Sequence, residues 1–285
     1  MAVDTNPWTY YTETRPVPSA GLGVFAIRDI PRGTRLAEEE PLLSVPAVKN
    51  KELYAAVCKA LQTTSDEKLA MLDDLSYENY TLWVINSTDI RKNIIQWHMD
   101  LPDAAKPYSN ITELNEITNQ TCRRYATFLT NNLDMGLGVG AGVFPCFSRM
   151  NHSCTPNTFD IYDTSLQRLT IHAARNIKAG EQLHSAYVEP LWPRARRIKK
   201  LQAWGFRCNC AVCSDDALEA MREETFMLDD SLAEYLEWLD EPPPADDDEY
   251  ELPYLKTHDE AWCAARRMVE LLTQQDLGGD AILSA

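Results

Sequence analysis

Three cysteines fall within six residues, Cys208, Cys210 and Cys213, in a C-x-C-x-x-C run. Thiolates this close can share one tetrahedral Zn²⁺, and three of them leave one coordination position to be filled from elsewhere in the chain. The candidates are Cys58, Cys122, Cys146, Cys154 and Cys263, together with the histidines. Cys154 stands apart, because Asn151-His152-Ser153-Cys154-Thr155-Pro156-Asn157 is dense in polar and turn residues and makes poor core filler. The other four read as small buried hydrophobes. The blander account of the cluster is a set of reduced surface thiols.

Gly21-Leu22-Gly23 offers a backbone that a ligand could approach closely. It is not the nucleotide fingerprint G-x-G-x-x-G, since Ala26 occupies the third glycine position. Asn151 and His152 present donors and acceptors side by side, suited to gripping a polar ligand or locking a turn. Tyr187 carries a hydroxyl at the end of an expected strand, where a plain edge aromatic is the alternative.

These residues need elements to position them. Residues 10–46 read as β structure, with strands over 21–26 and 42–45 and turn chemistry at Ile30-Pro31-Arg32-Gly33. Residues 47–130 read as a helical insertion, with helices over 52–61, after Ser65, and over 114–129. Short β runs return over 136–190, including 169–174 and 182–187. A basic helix over 193–204 leads into the cysteines. Residues 216–240 and 257–275 read as helices, joined by a charged, Pro-rich linker over 241–249. There is no internal repeat.

Composition sets the frame. The chain has 285 residues, 45% apolar and 25% charged, which is globular composition and implies about two domains. A chain this long buries about three quarters of its unfolded surface and needs no disulfides. The uncharged run 135–148 is Gly-rich and short of the roughly 20 apolar residues that cross a bilayer. The N-terminus shows no basic start with an apolar run behind it, so no secretory signal is expected. The eight cysteines are accordingly expected as thiols or ligands in a reducing compartment. The net charge is −16, and residues 215–285 hold 21 Asp and Glu against Arg222, Lys256, Arg266 and Arg267. That acidity argues against nonspecific DNA binding and is compatible with a basic partner; the blander reading is a solvated face.

The order of the motifs is more telling than any one of them. Gly-x-Gly near the start, then Asn-His-Ser-Cys-x-Pro-Asn, then Gly180-Glu181-Gln182-Leu183-His184-Ser185-Ala186-Tyr187, then Phe206-x-Cys208-x-Cys210-x-x-Cys213, resembles the SET-domain family of protein lysine methyltransferases. Tyr187-Val188-Glu189-Pro190 through Arg196-Arg197 is similar to the SET-and-MYND branch and its fungal relatives. The likeness covers about residues 10–214. It implies an α+β fold of several small sheets with a pseudo-knotted C-terminal part and a helical insert. The implied division is a SET domain over 10–190 (insert about 47–130), a post-SET zinc segment over 191–214, and an acidic helical region over 215–285.

The resemblance implies S-adenosylmethionine (SAM) as methyl donor. Gly21, Leu22 and Gly23 would approach it with their backbone, and Asn151 and His152 would hold it. Asn131 would contact it, with Asn132 as the alternative, and Phe206 would pack on its adenine. Tyr187 matches the catalytic tyrosine. Cys154, Cys208, Cys210 and Cys213 would form one structural zinc site. Two departures stand out. Residues 47–90 hold only Cys58, so the MYND zinc module is absent, and Trp204 stands where tyrosine is common.

The implied activity is methyl transfer from SAM to a lysine amine of a protein, with a basic tail such as a histone's as a candidate substrate. Neither nucleic acid nor membrane is expected as a direct partner, and nucleus and cytoplasm are both open. Two other readings stand beside it: an inactive SET-fold interaction module, and a SAM-dependent enzyme with a small-molecule acceptor.

Overall fold

Short antiparallel sheets carry Gly21, Leu22, Gly23, Asn151 and His152. The computed structural model describes residues 7–18, 20–49, 52–77, 88–240, 253–275 and 277. They divide into two compact units. The first comprises residues 1–151, 157–185 and 203–205, and the second residues 152–156, 186–202 and 206–285.

The first unit begins with helix α1 (Pro7–Tyr11), then strands β1 (Thr12–Val17), β2 (Gly21–Ala26), β3 (Arg35–Glu39) and β4 (Leu43–Pro46). Four helices follow: α2 (Leu53–Thr63), α3 (Asp66–Asp73), α4 (Thr88–Met99) and α5 (Ile111–Asn131). The chain then returns to strands β5 (Asn132–Asp134), β6 (Gly140–Val143), β7 (Asn151–His152), β8 (Thr158–Asp163), β9 (Arg168–Ala173) and β10 (Gln182–Ser185). The boundary between the units falls after Asn151.

In the first sheet β2 lies between β1 and β10. β1 accompanies β2 along its whole length, from Thr12 opposite Ala26 to Val17 opposite Gly21. β10 pairs only with Val24 and Phe25. The Gly21–Gly23 stretch therefore lies beyond the part of β2 that pairs with β10. The second sheet has the order β3-β9-β8 and the third β4-β6-β5. Period-two burial holds the second sheet on the core: Leu169, Ile171 and Ala173 of β9 point inward and alternate with half-buried residues. They join Val24, Leu36, Phe144, Met150 and Leu183 in one apolar cluster.

The insert is helical because its apolar residues recur at helical spacing. On α5, Leu114, Thr118, Cys122, Tyr125 and Phe128 share a buried face. Cys122, Tyr125 and Phe128 pack on Val57, Leu61, Leu72 and Ile94 from the other helices and on Leu43, Val45 and Val143 from the third sheet. A fully buried Leu, Ile or Phe contributes about 1.5–3 kcal/mol. Asn110 starts α5 by accepting the Glu113 N–H at 3.0 Å, and Glu113 reaches back to the Ser109 N–H. Ser65 starts α3 in the same way, accepting from Lys68.

The second unit is mainly helical: α6 (Arg194–Leu201), α7 (Ala211–Ser214), α8 (Asp216–Asp240) and α9 (His258–Gln274). Thr257 and Glu260 form a reciprocal capping box that fixes the start of α9. Tyr235, Leu255 and Ala264 make one small core, and Leu191, Leu272 and Leu277 another. Arg267 of α9 grips Glu224 of α8 with two hydrogen bonds, at 2.7 and 3.1 Å. The cysteine segment and the acidic helices, expected as separate regions, lie in this one unit apart from residues 203–205.

Several local expectations need correction. Residues 7–11 are helical ahead of the first strand, and α4 was not anticipated, because Arg91, Lys92 and Asn93 break its apolar pattern. β10 ends at Ser185, so Tyr187 lies beyond the strand. The basic helix stops at Leu201 and a 3-10 turn carries Gln202–Trp204. The expected linker over 241–249 lies outside the described residues. No described helix is long and apolar enough to cross a membrane.

Gly140 tests the pairing of β4 with β6. Its φ is +118°, and an added Cβ would lie 2.1 Å from the Val45 carbonyl oxygen. Gly138 also has positive φ, at +75°, but has nothing within 4 Å of its Cβ position. Gly138→Ala should cost about 1–2 kcal/mol, from backbone conformation alone. Gly140→Ala should cost clearly more in denaturant unfolding. Equal midpoints for the two variants would contradict the packing described.

Candidate functional site

The glycine stretch of β2 is shaped by what surrounds it. Gly21 sits at φ +70°, in the left-handed region that favours glycine. At Gly23 an added Cβ would lie 2.5 Å from Gln182 Nε2, 2.7 Å from Val17 Cγ2 and 3.0 Å from Asn151 Nδ2. Beyond the part of β2 that pairs with β10, the Asn151 amide takes over and donates to the Leu22 carbonyl at 3.0 Å. Leu22 itself is exposed. The result is a strand of minimal bulk whose backbone is fixed by a side-chain amide.

Asn151 is held in place in turn. The turn before it, Phe147–Arg149, is closed by the buried Glu39 carboxylate, which accepts the Cys146 and Phe147 N–H groups at 2.8 and 3.0 Å. Burial pushes the pKa of Glu39 up, and these two N–H groups oppose that shift. After the motif, the buried Asn157 side chain donates to the Gln182 carbonyl at 2.9 Å and accepts the His184 N–H at 2.8 Å. Asn157 thus ties the chain following the motif to β10. Sequence reasoning did not single it out, although its place in the Pro-Asn end of the motif was visible.

His152, Tyr187 and Phe206 form a second group, in the second unit. Ring centroids are 5.4 Å apart for His152 and Tyr187, 6.1 Å for His152 and Phe206, and 6.4 Å for Tyr187 and Phe206. His152 Nδ1 accepts the Tyr187 N–H at 3.0 Å. In a neutral ring the proton then sits on Nε2, which faces Cys154 Sγ at 3.3 Å and can donate to it. One imidazole therefore connects the tyrosine's backbone to a thiol. Burial pushes the Tyr187 hydroxyl up to about 12, so it stays protonated across the physiological range.

The four cysteines form the third group. Their sulfurs all lie within 4.8 Å of one another, with Cys154 at 3.9 Å from Cys208 and 3.6 Å from Cys213. Four sulfurs at about 2.3 Å from one tetrahedral ion would be about 3.8 Å apart, so the set fits Zn²⁺. Sulfur hydrogen bonds from Cys154 and Cys208 hold the Cys213 thiol down at about 6, and Arg197 adds to this. Sharing with Cys208, Cys210 and Cys213 pushes Cys154 up. The group distributes protons unequally among its sulfurs, as thiols at this spacing must when they carry their own charge. Four sulfur ligands leave no open position, so the ion would be structural.

Asn131 has hydrogen bonds of its own. It is buried at the end of α5, where Nδ2 donates to the Ser76 and Thr127 carbonyls at 2.7 and 2.8 Å. Asn132 spends its amide on the Phe128 and Leu129 carbonyls. Trp204 donates from its indole to the Thr130 carbonyl at 2.9 Å.

A protein-family model described as the SET domain matches residues 21–188. The chain belongs to the SET-domain family. This SET-domain protein is 28% identical over 211 residues to the histone-lysine N-methyltransferase set5 of Schizosaccharomyces pombe, covering 73% of this chain and 52% of the relative. It is 29% identical over 164 residues to the N-lysine methyltransferase SMYD2-A of Danio rerio, covering 56% of this chain and 34% of the relative. The chain thus spans about half the length of the first relative and a third of the second. Among solved structures, the SET domain of LSMT bound to lysine and AdoHcy overlaps with a TM-score of 0.47 at 13% identity, covering 72% of this chain and 53% of that one.

The metal reading makes a direct prediction. Protein prepared with zinc should hold about one equivalent per chain, the capacity of a single four-sulfur site. Cys154→Ser should lower zinc retention against a chelator, and Cys263→Ser, at an exposed position of α9, should not. Metal analysis after dialysis reads both. Equal retention in the two variants would remove Cys154 from the ligand set.

Proposed function

We propose that this chain is a SAM-dependent methyltransferase acting on a lysine amine of a protein. The observation that carries the proposal is the Gly21-Leu22-Gly23 strand with Asn151 anchored on the Leu22 carbonyl, in a chain of the SET-domain family. Bound SAM supplies an electrophilic methyl on a positively charged sulfur. The residues present fit such a ligand: Gly21 and Gly23 leave the strand without side-chain bulk, Gly21 has nothing within 4 Å of its Cβ position, and the strand is exposed at Leu22. Within the first unit, Gly21, Leu22, Gly23 and Asn151 would bind it; His152 and Phe206 are proposed for its flat ring on the family resemblance alone. Asn131 is proposed at the same ligand, as the family resemblance implies.

A free lysine amine has a pKa near 10.4 and is mostly protonated at neutral pH. Burial beside a positive sulfonium disfavours the ammonium form, so both terms lower that pKa. The chain's own residues then have to orient the neutral amine more than deprotonate it. The Tyr187 hydroxyl would do this, held by the hydrogen bond between its own N–H and His152.

The proposed acceptor is a lysine in a basic segment such as a histone tail, and the proposed location is nucleus, cytoplasm or both. The exposed acidic face of α8 supports a basic partner, with Asp230, Glu234 and Glu237 on the surface. An inactive interaction module and a small-molecule methyltransferase are the competing readings. Competition between a lysine peptide and a free amine for labelled methyl separates peptide from small-molecule acceptors.

Tyr187→Phe should lower kcat by about 10²-fold or more while SAM affinity holds. Because the hydroxyl stays protonated until about 12, the wild-type rate should rise with pH as the substrate amine deprotonates, with no fall from Tyr187 below pH 10. Full activity in the Phe variant would remove Tyr187 from the reaction. Replacing Asp230, Glu234 and Glu237 together with their amides should weaken peptide binding and flatten its salt dependence. An unchanged salt slope would remove that face from substrate binding.

A further inference from the structure

Two guanidinium groups are fully buried near the four cysteines of the second unit. Arg197, on α6, donates from Nη2 to Glu219 at 2.7 Å and to Cys213 Sγ at 3.7 Å. Arg222, on α8, donates from Nε to Gln275 at 2.7 Å and from Nη1 to the carbonyl of Cys154, at 3.2 Å, and to that of Pro190. Arg222 Nη2 is buried with no hydrogen-bond partner among the described residues. The one buried carboxylate among this unit's described residues is Glu219. It is already engaged by Arg197 and by the Arg194 N–H. Arg222 thus has no carboxylate ion-pair partner among the described residues.

A buried cation without a counter-charge is strongly unfavourable, and well-paired alternatives win unless an anion is near. Four thiolates around one Zn²⁺ carry two net negative charges. Arg197 reaches one of these sulfurs, and Arg222 is bonded to the backbone of the residue that bears another. We propose that Arg222 and Arg197 are the counter-cations of the four-cysteine zinc centre. Helix α8 is then an electrostatic component of the metal site; its buried Glu219 is spent on Arg197, while Glu223, Glu224, Asp230, Glu234 and Glu237 are exposed. This inference rests on the zinc reading of the cysteines and is independent of methyl transfer.

The same geometry could be a mere brace, and charge separates the two. Zinc affinity of the full chain is measured by chelator competition for wild type, Arg222→Met, Arg222→Lys and Glu219→Gln. Removing an outer partner of a metal ligand typically costs about 10–100-fold in affinity, and Arg222→Met should fall in that range. Arg222→Lys keeps the charge and should lose less than tenfold. Glu219→Gln removes a negative charge while keeping an acceptor, and should leave affinity unchanged or tighter. A loss under tenfold in Arg222→Met overturns the proposal. A loss of tenfold or more in either of the other two overturns it as well, because a brace would then explain the data. Should Arg222→Met fail to fold, the Lys and Gln variants decide by the same thresholds. A wild type that holds no zinc overturns this proposal and the zinc reading together, and leaves the methyl-transfer assay to stand by itself.

Discussion

Three side chains crowd Gly23 so closely that a Cβ there would force them to shift. Gln182, Val17 and the Asn151 amide approach within 3.0 Å of where a Cβ would lie. Much of the first unit serves to bring these groups there. β1 pairs along all of β2, and β10 pairs only with Val24 and Phe25, leaving the glycine end for Asn151. Glu39 closes the turn that delivers Asn151, and Asn157 fastens the following chain to β10. Each is a buried polar group whose hydrogen bonds are met by backbone, the arrangement under which burial of such groups is tolerable.

The second unit uses a different device. His152 has two ring nitrogens with separate tasks, one accepting from the Tyr187 backbone and the other facing Cys154. Imidazoles next to metal ligands commonly orient them through such hydrogen bonds. Here the same ring also sits within an aromatic trio with Tyr187 and Phe206. A change at the cysteines would therefore reach Tyr187 through one side chain.

Much of this was legible in the sequence, for identifiable reasons. Cys154 could be picked out as the fourth sulfur because a thiol among polar turn residues has no packing role. Helix α8 was readable to the residue, since its apolar spacing persists from Asp216 and stops before the prolines. α4 was hidden because Arg91 and Lys92 interrupt its pattern while Ile94 still packs in the core. The burial of Arg197, seen only in a basic helix, and of Arg222, seen only as one of four bases in an acidic segment, was hidden, since burial of an arginine depends on partners distant in sequence. Asn157 was hidden for the same reason: its partners lie on β10, 25 and 27 residues away.

The proposed methyl transfer depends on the Gly21-Leu22-Gly23 strand and Asn151 binding a cofactor. The direct test is calorimetric titration of SAM into the zinc-loaded chain, with Asn151→Ala beside it and thermal unfolding to verify that the variant is folded. Saturable binding by the wild type, weakened at least about tenfold in the variant, is the predicted result; tenfold is the loss of about 1.4 kcal/mol, within reach of one charge-assisted hydrogen bond. A folded, zinc-loaded wild type that takes up no SAM, or a variant that binds as tightly as the wild type, would contradict it.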